Sequence, residues 1–273
     1  MKRLSHCLVI IVCACTLYSC SSNNVHQRHE WKKYFSDQGL TGCFMLHNTA
    51  LNIFNIYNLQ GTQVRYSPGA SFDLMNALVG LETGIIADTN TVFLDSLGHS
   101  PAGLEGMTLA KAFRTGDSLY FMEVARRVGA AKMQFWLDSV RYGNTLTGKR
   151  IDRFWLDNSL KISADEQLGF LQGLYTEKLP FQPRTQRLVK ALLFQRQNMR
   201  YSLYDKTAVA LSDGKQIGWI TGWVQIGDRP HFFVLCAEEP GTQKDIKPAI
   251  TGILKDILRQ EDLLPEEPSG QKK

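Results

Sequence analysis

The run from Tyr66 to Ile86 limits this chain more than any other. Ser67 and Pro68 punctuate its start, and apolar residues then recur at Phe72, Met75, Leu78, Val79, Leu81 and Ile85 with helical spacing. The apolar arc is too wide for a surface helix. At about 14 residues it is also shorter than the roughly 20 needed to cross a bilayer. Such a segment is predicted to be a core helix, so the remaining chain has to supply layers that cover it.

Those layers can be read in order. Trp31 to Phe35 reads as a short helix. Gly42 to His47 and Leu51 to Asn58 read as a hairpin joined through Asn48-Thr49-Ala50. The stretch from Asp88 to Gly106 is irregular. Thr108 reads as an N-cap, and helices follow over Ser118–Val128 and Ala130–Val140. Ser163 with Glu166 three residues on forms a capping box. After the Pro180–Pro183 break comes a helix over Arg184–Leu193. Strands then occupy Tyr204–Leu211, Gly218–Ile226 and His231–Ala237, and a closing helix runs over Ile246–Leu258. A hairpin, a helical block, three strands and a final helix imply an α+β fold, with an antiparallel sheet covered by helices and an inserted helical subdomain.

Met1 to Cys20 has a basic start and an apolar run, which marks a secretory signal, and Leu17-Tyr18-Ser19-Cys20 resembles a bacterial lipobox. In that reading Cys20 becomes a lipidated first residue, followed by a polar tether. The other readings are an ordinary signal peptide cleaved nearby and an uncleaved anchor. The predicted division is a signal at 1–19, a tether at 20–38, a globular domain at 39–260 and a disordered polar tail at 261–273. The protein is expected at the cell envelope, lipid-anchored and facing the periplasm or exterior. A net charge of +5, from 31 basic and 26 acidic residues, includes Lys2 and Arg3 of the leader and is too small to suggest a nucleic-acid partner. Outside the leader the cysteines are Cys43 and Cys236. In an oxidising compartment they are either a disulfide or two buried thiols.

The Tyr66–Ile86 run resembles the nucleophile segment of class D β-lactamases and related penicillin-binding sensor domains. Without a gap, the family's nucleophilic serine falls on Ala70, its threonine on Ser71 and its activating lysine on Asp73. The family's Ser-x-Val falls on Gly116-Asp117-Ser118, and its Tyr-Gly-Asn on Tyr142-Gly143-Asn144. Phe154 to Ser163 resembles a further family run that contains Trp155. Lys-Thr-Gly corresponds to Lys206-Thr207-Ala208, followed by the similar strand Ile217 to Val224. The carboxylate-binding arginine falls, by a looser alignment, near Lys247. The resemblance spans about residues 40 to 260. It implies a serine β-lactamase/DD-peptidase-like fold with a five-stranded antiparallel sheet, whose first and last strands lie side by side and so allow a Cys43–Cys236 bond.

Serine acyl transfer needs a hydroxyl, a base, oxyanion donors and groups that hold the substrate carboxylate. Ala70 has no hydroxyl, and Asp73 cannot stand in for a lysine. Ser71 projects about 100° around the helix from position 70, and the residue three further on is Leu74. Ser118 is expected to cap a helix. Ala208 is expected to crowd a substrate lying along its strand, and Lys247 keeps charge without the bidentate fork of arginine. A buried carboxylate needs a partner, and the expected one for Asp73 is Lys206, with Trp155 donating its indole N–H and Tyr142 nearby. Tyr142, Asn144 and Trp155 are read either as binding residues or as braces for the helical subdomain. Thr207 keeps the family's hydroxyl. No motif calls for a cofactor or metal. The resemblance therefore implies a non-catalytic envelope protein whose ligand is a β-lactam, a peptidoglycan stem peptide or a protein partner. The alternative is a rearranged acyl-transfer enzyme using Ser71 or an Asp73-activated water.

Overall fold

A computed structural model describes residues 24–239 and 245–265. The predicted signal and Cys20 lie outside the described residues.

One sheet organises the domain. Its strands are β1 (Val25–Gln27), β2 (Thr41–Asn48), β3 (Ile53–Tyr57), β4 (Phe194–Gln197), β5 (Ser202–Ser212), β6 (Lys215–Ile226) and β7 (Arg229–Glu239), in the order β1-β3-β2-β7-β6-β5-β4. All described pairings are antiparallel except β1 with β3. The sheet thus has seven strands where five were expected. The two extra strands are short outer ones that gain their hydrogen bonds from longer neighbours.

Successive side chains of a strand point to opposite faces, and here both faces are covered. Trp219 and Trp223 of β6, Val234 and Cys236 of β7 and Cys43 and Met45 of β2 face one core. Ile220, Val224, Phe233, Leu235, Phe44 and Leu46 face the other. Central strands buried on both faces must be apolar at nearly every position, which explains their runs in the sequence.

The first core is closed by α2 (Asp73–Glu82), α3 (Leu109–Thr115), α4 (Ser118–Val128), α5 (Ala130–Val140), α6 (Ala164–Tyr175) and α7 (Pro183–Leu192). The second is closed by α1 (Lys32–Ser36) and α8 (Lys247–Gln260). Local chemistry sets the helix starts: the Thr108 hydroxyl accepts from Lys111 N–H, and Ser163 with Glu166 forms the full capping box. Every residue of α2 from Asp73 to Leu81 is buried, as its wide apolar arc implied.

The expected tether at 20–38 is folded from Asn24 onward. Val25–Gln27 pairs with Phe54–Ile56, and Trp31 and Phe35 sit in the second core at 0% and 1% exposure. The Arg28 guanidinium then grips Glu261 beyond α8 through contacts of 3.0 and 2.5 Å, so the start and end of the domain are clamped together. The expected tail also begins later, because Leu263 and Leu264 are buried. Apolar side chains in a short polar stretch find burial wherever a core is open to them.

A tether residue could be truncated without cost. Trp31→Ala is instead expected to lose roughly 3–5 kcal/mol of stability, as deletion of a buried aromatic does. Urea unfolding of the full chain measures this.

Candidate active site

The site is built from the turn that enters α2. The Ser67 hydroxyl donates to the Trp155 carbonyl at 2.8 Å, the Gly69 N–H donates to the same carbonyl at 3.1 Å, and the Trp219 indole N–H donates to the Ser67 carbonyl at 3.0 Å. Gly69 has φ +51°, and a Cβ there would lie 2.8 Å from that of Ala210 on β5. Only glycine permits both the left-handed backbone and this approach. The turn is therefore pressed onto β5, and a 3-10 turn over Gly69–Phe72 passes straight into α2 with Asp73 at its first position.

Ser71 is fully buried and committed elsewhere. Its hydroxyl donates to the Pro68 carbonyl at 2.8 Å and accepts from the Gln167 side chain at 2.9 Å. It has neither access nor a basic partner, as its angular offset from position 70 implied.

Asp73 and Lys206 meet. Lys206 Nζ lies 2.8 Å from Asp73 Oδ2, with side-chain exposures of 5% and 1%. The approach is a charge contact that misses hydrogen-bond alignment, since Asp73 Oδ2 has no hydrogen-bonded partner. The ammonium donates instead to the Phe113 carbonyl at 2.5 Å and lies 4.3 Å from the centre of the Phe113 ring. Burial pushes the Asp73 carboxyl up to about 6, against the pull of Lys206 and with a further push from Asp117. The Phe113 carbonyl, the Phe113 ring and the Asp117 charge were not anticipated from the sequence, because no local pattern brings α3 and the start of α4 beside β5.

The Ser-x-Val position faces Ala70. Gly116 ends α3 in the left-handed conformation, and a Cβ there would lie 3.8 Å from the Ala70 methyl. The two positions are juxtaposed without a hydroxyl on either. Asp117, not Ser118, caps α4, its carboxylate accepting from Tyr120 N–H at 3.0 Å. Ser118 is instead the first residue of that helix.

Other expected site residues act as braces. Asn144 donates to the Ser159 carbonyl at 2.9 Å and accepts from Lys161 N–H at 3.0 Å. Tyr142 is buried edge-on to Phe72 at 5.4 Å, and burial raises its hydroxyl pKa. Trp155 stacks on Phe72 at 5.4 Å and holds the entry turn through its carbonyl, and among the described residues no hydrogen bond runs from its indole to Asp73. The expected indole donation is thus replaced by ring packing.

A cavity of about 690 Å³ adjoins the ion pair, lined by Phe113, Arg114, Leu192, Asp205, Lys206 and Thr207 among others. The Ala208 methyl shares the face of Lys206 and is buried in the first core at 1% exposure. Lys247 is exposed in the first turn of α8, which covers the opposite face of the sheet, so it is not gathered into the site. Among the described residues no cluster of metal-ligating side chains occurs.

Comparison with known proteins places this architecture. The family model for the penicillin binding protein transpeptidase domain matches residues 33–259. β-Lactamase OXA-5 of Pseudomonas aeruginosa is 32% identical over 85% of this chain and 88% of its own length. The probable β-lactamase YbxI of Bacillus subtilis is 32% identical over 82% of each. Among solved structures, the class D β-lactamase FUS-1 of Fusobacterium nucleatum superposes with a TM-score of 0.78 at 28% identity, covering 88% of this chain and 100% of that one. The C-terminal domain of the Bacillus licheniformis BlaR penicillin-receptor gives 0.78 at 25% identity, covering 88% and 98%.

The ion pair makes two checkable demands. Asp73→Leu or Lys206→Met alone strands a buried charge and is expected to cost about 3–5 kcal/mol, whereas the double substitution recovers most of that loss. Urea unfolding of the four proteins closes the cycle. The pH dependence has a defined sign. The Asp73 carboxyl titrates near 6 when folded, above its unfolded value of about 3.9, so its contribution to stability is greatest below about pH 4 and is lost as pH rises through 6. The urea midpoint of the unaltered protein should therefore fall relative to that of Asp73→Asn between pH 4 and pH 7.

Proposed function

Because this chain belongs to the penicillin-binding transpeptidase-domain family and, within it, to the class D β-lactamase-like proteins, we propose that it is a non-acylating member that binds without turning over. In this reading it is held at the cell envelope by a lipid on Cys20, and its ligand is a β-lactam or a peptidoglycan stem peptide. The ligand class is argued from the relatives, which include β-lactamases and a penicillin-receptor.

The observation that carries the proposal is the buried Asp73–Lys206 pair, set beside the facing Ala70 and Gly116. Acyl transfer through a serine needs a nucleophile whose proton a nearby base can take. Here the position facing Gly116 is a methyl. The carboxylate one turn further on is neutralised by a lysine, and the neighbouring serine is locked between Pro68 and Gln167. Thr207 and Arg114 line the cavity and offer a hydroxyl and a cation to an anionic ligand. Removing nucleophile and base together leaves only the modest rate effects of binding and polarisation.

The test is covalent labelling. Incubated with a fluorescent penicillin, the purified protein is expected to show no stable adduct by gel or intact mass, and an adduct mapped to any serine would overturn the proposal. Ala70→Ser combined with Asp73→Lys restores a hydroxyl and an amine one helical turn apart. This variant is expected to acquire slow labelling at position 70.

A further inference from the structure

Cys43 and Cys236 are cross-strand partners. They lie directly opposite one another in the antiparallel pairing of β2 with β7, both buried, and are the free cysteines among the described residues. Opposed residues of an antiparallel pair share a face with Cβ atoms about 4.5–5.5 Å apart, and a disulfide needs about 3.5–4.5 Å. A small approach of two strands already in register would close the gap.

We propose that Cys43 and Cys236 are joined by a disulfide made while the chain folds, a covalent seam between β2 and β7. The proposal rests on the export reading above, since an oxidising compartment supplies the oxidant. Two thiols each give up a proton and together two electrons. The acceptor is the disulfide of an exported thiol oxidoreductase or of oxidised glutathione, which leaves as two thiols.

The timing follows from burial. The attacking species in thiol exchange is the thiolate, and burial raises the Cys236 thiol well above its ordinary range, with the neighbouring Cys43 adding to the shift. Cys236 also lies opposite Trp219, whose indole fastens the entry turn of α2. In the folded protein both thiols are buried, at 2% and 3% exposure, beneath the layers that close the first core. The bond has to form before these layers close. Once made, the same burial protects it from reductants. Because β2 lies near the start of the domain and β7 near its end, the seam closes a long loop, and that is where a cross-link most restricts the unfolded chain.

The exported full-length protein, isolated from the cell envelope, is digested without reduction, and its peptides are mapped by mass. The peptides containing Cys43 and Cys236 are expected to be joined and lighter by two hydrogens than the separate pair. The same protein is then denatured and reduced. Refolding in a glutathione redox mixture should restore the joined peptides and a higher urea midpoint than refolding in reductant, a gain that Cys43→Ser abolishes. Native protein refolded in reductant should resist oxidised glutathione, with both thiols alkylated only after denaturation. Separate peptides after redox refolding would overturn the seam, and ready oxidation of the native reduced protein would overturn its coupling to folding. Joined peptides after refolding but not in cells would instead overturn the export reading.

Discussion

A carboxylate and an ammonium are buried against each other 2.8 Å apart, where the first turn of α2 meets the middle of β5. Removing either charge alone leaves the other stranded in a medium that penalises it by several kcal/mol. That dependence ties the first turn of α2 to the middle of β5, and the Phe113 carbonyl draws α3 into the same contact. The aromatic group of Phe72, Tyr142, Phe154 and Trp155 then packs around the turn that carries Asp73. Such a pair adds little net stability over apolar residues of similar size, so its contribution is to specify which helix face meets which strand.

How much of this was legible depended on how local the cause was. α2, the Thr108 cap and the Ser163–Glu166 box were readable because their signals lie within a few residues. The long strands were readable because two covered faces demand unbroken apolar runs. β1 and β4, with three and four residues, carry no pattern of their own and exist through the neighbours they pair with. Trp31 and Phe35 were the available signal that the presumed tether would fold, but their burial depends on α8, more than two hundred residues away.

At the site, charge logic succeeded and side-chain direction failed. Asp73 had to find a cation, and Lys206 lay at the matching family position. Trp155 was expected to donate to Asp73, and its place in the site is set instead by packing on Phe72 and by its carbonyl. Asp117 and Ser118 are both good cap formers in sequence, and only the backbone selects the first. Lys247 rested on an alignment across a gap, and the helix carrying it covers the opposite face of the sheet. The family's architecture extends over residues 33–259, and such a scaffold does not by itself dictate the chemistry of the site it carries.

The strand order has a consequence for orientation. The chain enters at β1 on one edge of the sheet, and the cavity beside Lys206 opens at β5, five strand spacings away. At about 4.8 Å per spacing this is roughly 24 Å across the sheet. The Arg28–Glu261 clamp brings the end of α8 back to that entry point. The sheet thus separates the cavity mouth from the edge strand with which the described chain begins, so those first residues lie away from Arg114 and Thr207.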